Sequence, residues 1–287
     1  MNVGIRTVTV ADVEVCGRIN YEAFKDIAEH HRFPPDFPTV EAATQLPAFF
    51  VNHPAIFGVV AESAGQVVGC NFLDERDPIR GLGPITVDPR FQAHGIGRQL
   101  MQAVLDRGRD AAGIRLLQDS FNTRSIALYA SLGFEVKEPI LLMTGTPRGK
   151  PPSDIEVRPL TTNDLEACAA LCTRVHGFDR SQELADALKL FSPVVAVRQA
   201  RVTAYASTAT FWPLNHGVAE TEEDMRALLL GAATLTSDPL ALLLPVRQAG
   251  FFRWCLGEGL RVVKPMTLMT LGQYREPEGC YFVSVLY

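Results

Sequence analysis

Apolar and polar positions alternate with a period of two in "GIRTVTV" near the start of the chain, which predicts a strand. The spacing then turns helical through "VEVCGRINYEAF", with Asp12 placed to cap that helix, and "FPPDFPTV" reads as a proline-broken loop. "AIFGVVAESAGQVVGCNFLDE" holds two β-rich runs around the turn "AESAGQ", a hairpin pattern, and "GPITVD" is a further strand. From Ile96 the apolar positions 96, 100, 101, 104 and 105 keep helical spacing. "IRLLQDSF" then reads as a strand, "TRSIALYASLG" as a helix closed by Gly133, and "FEVKEPILLMT" as a final strand. The order β-α-(α)-β-β-β-α-β-α-β predicts an α/β (α+β) unit, a mixed, mostly antiparallel twisted sheet with helices on both faces.

The chain also repeats itself. "IRTVTVADVEVC" from Ile5 aligns with "VRPLTTNDLEAC" from Val157, pairing Arg6 with Arg158, Thr9 with Thr161, Asp12 with Asp164 and Cys16 with Cys168 at an offset of 152. "GFEVKEPILLMT" from Gly133 aligns without gaps with "GLRVVKPMTLMT" from Gly259 at an offset of 126, so the second copy is 26 residues shorter between these anchors. The Pro- and Gly-rich "GTPRGKPPSD" lies between the copies. The expected organisation is one domain over residues 1–146, a linker over 147–154 and a second domain over 155–287.

A length of 287 residues with 47% hydrophobic content also suits two domains. Net charge is −2 over residues 1–150 and −3 over the remainder, so neither half offers the basic footprint of a nucleic-acid binder. Six cysteines sit in apolar surroundings and read as buried free thiols. No signal peptide pattern is visible, and the most apolar window, from Leu228, is broken by Asp238 and Pro239. These features predict a soluble cytoplasmic protein without membrane partners.

One stretch breaks the local rules. In "VDPRFQAHGIGRQLM" Gly95 and Gly97 stand where a strand gives way to an amphipathic helix, although glycine inside a helix costs roughly 0.5–1 kcal/mol relative to alanine. A helix start with small residues exposes backbone N–H groups and draws phosphate. The stretch lacks the Gly-Lys-Ser/Thr of a P-loop and the third glycine of a dinucleotide fingerprint. Gln92-Ala93-His94-Gly95-Ile96-Gly97 instead resembles the Q/R-x-x-G-x-G/A pyrophosphate loop of the GNAT superfamily of acyl-CoA N-acyltransferases. The preceding "ITVDP" resembles that family's fourth strand. "NTRSIALYASLGF" resembles its N-x-x-A-x-x-L-Y-x-x-x-G-F segment, with Ser125 where alanine is usual. The resemblance covers residues 3–145.

That resemblance implies acetyl-CoA as acyl donor. Its pantetheine arm would bond to backbone near Thr86 and Val87 and face Asn122, and its pyrophosphate would sit on N–H groups from Ala93 to Arg98, with His94 contributing a backbone donor and Ile96 lying within the loop. Tyr129 would approach the thioester sulfur. A phenol with a pKa near 10 can return a proton to the leaving thiolate, which makes Tyr129 the expected general acid. No residue stands out as the base that would deprotonate the amine. Asp74, Glu75, Asp77 and Asp119 read as solvated loop or strand-edge carboxylates. "EHHRF" (residues 29–33) carries adjacent histidines that point apart, so no metal is expected, and this loop is read as surface with a role as acceptor-site wall.

At the equivalent place the second copy reads "FWPLNHGVAETEEDMRALLL". Glu220, Glu222, Glu223 and Asp224 crowd the helix start and would repel a pyrophosphate, and Cys255 stands at the position of Tyr129. The expectation is an N-acetyltransferase with one acyl-CoA site and a degenerate second copy, acting on a primary amine of a small-molecule acceptor. A non-catalytic acyl-CoA-responsive protein and a scaffold whose second half binds a partner protein remain as alternatives.

Overall fold

The computed structural model describes residues 3–287. The first half runs β1 (Val3–Thr7), α1 (Val13–His30), α2 (Val40–Asn52), β2 (Ile56–Ser63), β3 (Gln66–Asp74), β4 (Ile79–Leu82), β5 (Thr86–Val87), α3 (Ile96–Arg107), β6 (Gly113–Asp119), α4 (Thr123–Ser131) and β7 (Glu135–Gly145). The second half follows the same plan: β8 (Ile155–Pro159), α5 (Leu165–His176), α6 (Ser181–Leu190), β9 (Val194–Arg198), β10 (Arg201–Ala206), β11 (Gly217–Ala219), α7 (Glu222–Ala232), β12 (Leu240–Pro245), α8 (Ala249–Gly257), β13 (Arg261–Gly272) and β14 (Cys280–Phe282).

The repeat is visible atom by atom where each half begins. Arg6 donates two hydrogen bonds of 2.8 Å to Asp12, which also accepts from the Thr9 amide and hydroxyl at 2.8 Å. Arg158, Thr161 and Asp164 repeat those four bonds at 2.8 Å each. Asp12 therefore stands at the start of α1, as the sequence predicts, but its carboxylate reaches back to Thr9 and Arg6 and caps no N–H of that helix. The proline-broken loop ends at Thr39, whose hydroxyl accepts from the Ala42 amide at 3.2 Å and starts α2.

Among the described residues the strands form two sheets, ordered β1-β2-β3-β4-β6-β13-β7-β12 and β14-β11-β10-β9-β8, with β5 on β3. The pairing is antiparallel throughout except β4 with β6. The centre of the larger sheet is shared by the two halves. β13 of the second half lies between β6 and β7 of the first, and β7 in turn lies between β13 and β12. The exchange is pseudo-symmetric: the Ser120 amide donates to Pro265 O and the Val246 amide to Pro139 O, both at 3.1 Å. Met269 is thereby carried into the first half's core and its repeat partner Met143 into the second half's, both fully buried. Burying a methionine side chain contributes roughly 1.5–3 kcal/mol, so each half stabilises the other.

The strand expected at "GPITVD" is reduced to β5, and β4 precedes it over residues 79–82, which the sequence reading did not assign to a strand. β4 runs parallel to β6, but beyond Gly83 and Pro84 the chain veers onto β3 as β5, leaving β5 and β6 apart. In the second half the matching gap, between β11 and β12, is filled by the chain itself. β14 pairs with β11, and the Val283 amide donates to Leu243 O at 3.0 Å. All six cysteines are buried free thiols, and no described helix is long and apolar enough to cross a membrane.

Candidate acyl-CoA site

Where β5 and β6 diverge, a cavity of about 760 Å³ opens between α1, α3 and α4. The second half closes one side of it with Trp212, Pro213, Met266 and Val285.

The loop from Gln92 to Arg98 forms one end. Ala93 has φ +67° and Gly95, the N-cap of α3, has φ +77°, so the backbone twice enters the left-handed region within three residues. Such alternation turns successive N–H groups toward one concave point, an anion-binding arrangement. The first helical bond of α3 is Gln99 N to Gly95 O, which leaves the N–H groups of Ile96, Gly97 and Arg98 without an acceptor inside the helix. A Cβ added at Gly97 would lie 3.5 Å from Leu128 Cδ2, an ordinary contact, so protein packing alone does not require glycine there. Gly97 leaves open space on the cavity side. Arg98 donates to the Ser131 hydroxyl at 2.7 Å and borders the cavity beside Arg124.

The structure brings Thr86, Val87, Gln92, Ala93, Gly95 and Ile96 to this wall, together with Gly97, Arg98, Asn122 and Tyr129. His94 stays outside it. Its ring turns back onto its own loop, with Nδ1 2.8 Å from Gln92 O. The Thr86 hydroxyl donates to Asn20 Oδ1 at 2.6 Å, and the Gln92 amide group donates to Val87 O at 3.1 Å, which fixes the loop to β5. Asn122 caps α4 by accepting from the Ser125 amide at 3.2 Å. Tyr129 is buried on α4, and burial, with a smaller contribution from the Asp119 charge, pushes its phenol up to about 12 despite a bond to Ser125. It is therefore a phenol, not a phenolate, at neutral pH.

The far end of the cavity is acidic and aromatic. Asp36, on the loop between α1 and α2, and Asp119, at the end of β6, both border it, and both hold Lys264 of β13, at 2.5 Å and 2.6 Å. The sequence reading of Asp119 as a solvated carboxylate is thus corrected: it is 7% exposed and ion-paired, because β13 sets Met266 opposite it and brings Lys264 within reach. Burial, with repulsion from Asp119, lifts Asp36 to about 6 against the pull of Lys264. Burial alone would lower the Lys264 ammonium, but the two carboxylates outweigh it and hold its pKa above the ordinary lysine value. His30 and His31 also border the cavity, and Phe121 stacks on Phe33 with ring centroids 4.4 Å apart.

Asp74, Glu75 and Asp77 are not on the cavity, and they are less solvated than expected. Asp74 is buried on Arg76 at 2.6 Å, and Glu75 takes Arg80 and Arg107 at 2.8 and 2.9 Å. Burial pushes the Asp77 carboxyl up to about 7. Among the described residues no group of three or more metal-ligating side chains occurs. Asp36, Lys264 and Arg124 escaped sequence reasoning. The available signal was Lys264, a lone charge inside the apolar run "VVKPMTLMTL". Its repeat partner Glu138 is likewise buried and crosses to the other half, to Arg247 at 2.7 Å.

The equivalent site in the second half is different. Thr221 caps α7 by accepting from the Asp224 amide at 3.1 Å, with Glu222, Glu223 and Asp224 filling the first turn. Cys255 is fully buried on α8 where the first half has Tyr129.

Residues 21–134 match the acetyltransferase (GNAT) family model. No curated protein matches the chain in sequence. Among solved structures, a Pyrococcus horikoshii protein assigned as an acetyltransferase superposes with a TM-score of 0.78 at 17% identity, over 99% of this chain and 94% of its own. A GCN5-related N-acetyltransferase from Sphaerobacter thermophilus gives 0.64 at 15% identity, over 96% of both chains. A tandem GNAT protein from the clavulanic acid biosynthesis pathway gives 0.60 at 13% identity, over 94% of this chain and 98% of its own. At these identities the likeness establishes the fold, a tandem arrangement included.

Proposed function

We propose, from the match of residues 21–134 to the acetyltransferase (GNAT) family model, that this chain is an N-acetyltransferase that moves an acetyl group from acetyl-CoA to a primary amine of a small-molecule acceptor. In this reading residues 1–146 form the acyl-CoA domain, and 155–287, joined by 147–154, form a degenerate copy that walls the acceptor side.

The observation that carries the reading is one continuous cavity joining the Gln92–Arg98 loop to the buried phenol of Tyr129. The residues fit the donor. Two left-handed residues, three free helix-start N–H groups and the Arg98 guanidinium suit a pyrophosphate, and the separation of β5 from β6 leaves unpaired backbone for an extended pantetheine.

The acceptor amine, once neutral, attacks the acetyl carbonyl, the carbon–sulfur bond breaks and the pair of electrons leaves on sulfur. Tyr129 then donates its proton to that thiolate, and the proton that the nitrogen sheds on becoming an amide restores the phenol. A phenol held at about 12 stays protonated across the physiological range, which suits a donor and not a base. In the second half, β14 occupies the equivalent gap and carboxylates occupy the helix start, which supports a single donor site.

Thiol release measured with acetyl-CoA and a panel of amines tests the proposal. Turnover with at least one amine, reduced in Tyr129→Phe, supports it. Tight acetyl-CoA binding with no thiol release across the panel overturns the catalytic role.

A further inference from the structure

The acceptor end of the cavity carries a charge imbalance built jointly by the two halves. Asp36 and Asp119 share a single ammonium, that of Lys264, and all three side chains are at most 6% exposed. Lys264 sits behind the carboxylates, under the ring of Trp212 at 5.2 Å, and does not border the cavity. Within this buried cluster one ammonium against two carboxylates leaves one negative charge uncompensated, and both carboxylates border the cavity, where the further carboxylate, Asp26, is exposed and screened by solvent. Burial makes such a residual charge costly unless a cation joins it. The surrounding walls are apolar and aromatic, with Phe24, Phe37 and Phe121 bordering the same space, so they favour an apolar body and an ammonium approaching a ring face. Arg98 borders the cavity from the Gln92–Arg98 loop, at the donor end, so the cavity is polar in charge along its length.

We infer that Asp36 and Asp119 form the acceptor-ammonium subsite, that Lys264 is a positioning residue which sets its charge to minus one, and that the acceptor is a small monoamine with an apolar or aromatic body. This rests on the proposed acetyl transfer only for its kinetic readout. The ammonium docks on the carboxylates, is held beside them by the aromatic walls, and releases one proton to solvent water before attack. Two charges on the substrate exceed what the subsite neutralises, and a zwitterion brings its own carboxylate against Asp36 and Asp119. Diamines and amino acids are accordingly poor acceptors.

The test uses the full chain with 2-phenylethylamine, 1,4-diaminobutane and phenylalanine as probes, read by thiol release with acetyl-CoA and by calorimetry without it. In the wild-type chain 2-phenylethylamine is the preferred probe. Asp36→Asn takes the subsite to zero and raises the KM for 2-phenylethylamine by about 10- to 100-fold, the scale of one lost charge-assisted bond, with acetyl-CoA affinity unchanged. Lys264→Met removes the resident ammonium, so a second substrate ammonium can take its place between the carboxylates, and kcat/KM shifts toward 1,4-diaminobutane by about tenfold relative to 2-phenylethylamine, a change of specificity that a merely structural lysine would not produce. If that variant does not fold, Lys264→Arg, which keeps the charge, must retain the wild-type preference. An unchanged amine KM in Asp36→Asn, or phenylalanine accepted as well as 2-phenylethylamine, overturns the inference. If no thiol is released by any protein, the transferase reading fails, and calorimetry still decides the subsite: 2-phenylethylamine binding that disappears in Asp36→Asn sustains it, and no binding overturns it.

Discussion

Lys264 Nζ lies 2.6 Å from Asp119 Oδ1, although the two residues belong to different halves of the chain. The contact exists because β13 inserts beside β6, and it has a counterpart of reversed polarity in Glu138, which β7 carries to Arg247. Each exchanged strand thus brings one buried charge to the opposite half. Removing one partner of a buried pair leaves an uncompensated ion, which costs about 3–5 kcal/mol. Lys264→Met is expected to lower stability by that amount, measured by urea unfolding, and adding Asp119→Asn is expected to recover part of the loss. Equal loss in the single and double variants would show that the pair contributes only through packing.

The two glycines of the Gln92–Arg98 loop predict different outcomes. Gly95→Ala places a side chain at φ +77° and is expected to destabilise the protein by about 1 kcal/mol while distorting the N-cap. Gly97→Ala meets only Leu128 Cδ2 at 3.5 Å, so stability is expected to hold or rise by up to about 1 kcal/mol through helix propensity. The added methyl enters the space that the donor would use, and acetyl-CoA affinity is expected to fall at least tenfold. Paired thermal unfolding and calorimetry check this. Unaltered acetyl-CoA binding in Gly97→Ala would remove the loop from the donor site.

These contrasts also show what could be read in advance. The element order, the loop, Asn122 and Tyr129 were legible because each depends on spacing within a few turns of chain. The Asp36–Lys264–Asp119 cluster was not. It requires knowing that "GLRVVKPMTLMT" pairs with "IRLLQD" from the other half instead of closing its own sheet, and strand partner choice is a long-range property that leaves no local period. The His94 ring conformation was not legible either: the ring turns onto Gln92 O at 2.8 Å, a local side-chain to backbone bond that competes with facing the cavity.

Tyr129→Phe removes one oxygen from a buried ring and keeps the packing of α4 against the sheet. With the phenol held at about 12, the wild-type rate is expected to show no break attributable to Tyr129 up to pH 11. The variant is expected to lose about 10²-fold in kcat with KM for acetyl-CoA within twofold, the pattern of a missing general acid. Stopped-flow and steady-state kinetics separate the two. A change confined to KM would make Tyr129 a binding residue.

The duplicated Arg–Thr–Asp network predicts equal behaviour in both halves. Arg6 holds Asp12 down to about 2, chiefly by hydrogen bonding, and Arg158 holds Asp164 lower still by the same kind of bonds. A depressed carboxylate stabilises the fold above the unfolded-state value near 3.9, and that contribution is lost as pH falls toward 2. Asp12→Asn and Asp164→Asn are each expected to cost about 1–3 kcal/mol at pH 7, with the gap to wild type narrowing as pH falls from about 4 toward 2, and narrowing later for Asp164. Urea midpoints across that range provide the check, and an Asp12→Asn gap that is undiminished at pH 2 would assign the loss to packing.

Asp36 predicts the opposite sign. Burial and the Asp119 charge raise its carboxyl to about 6, so between about 3.9 and 6 the native state retains a proton that the unfolded chain releases. Stability is therefore expected to fall as pH rises through that window and then level off, and Asp36→Asn is expected to abolish the slope. Function runs the other way, because the ionised carboxylate is the form that receives an ammonium. The amine KM is expected to rise as pH drops below 6, while acetyl-CoA affinity stays level. The charged groups facing Asp36 are Lys264 of β13 and Asp119 of β6, with Asp26, His30 and His31 of α1 on the same cavity. His30→Gln and His31→Gln therefore serve as controls that should keep the profile. A profile lost in either histidine variant and kept in Asp36→Asn would place the titrating group on α1 instead.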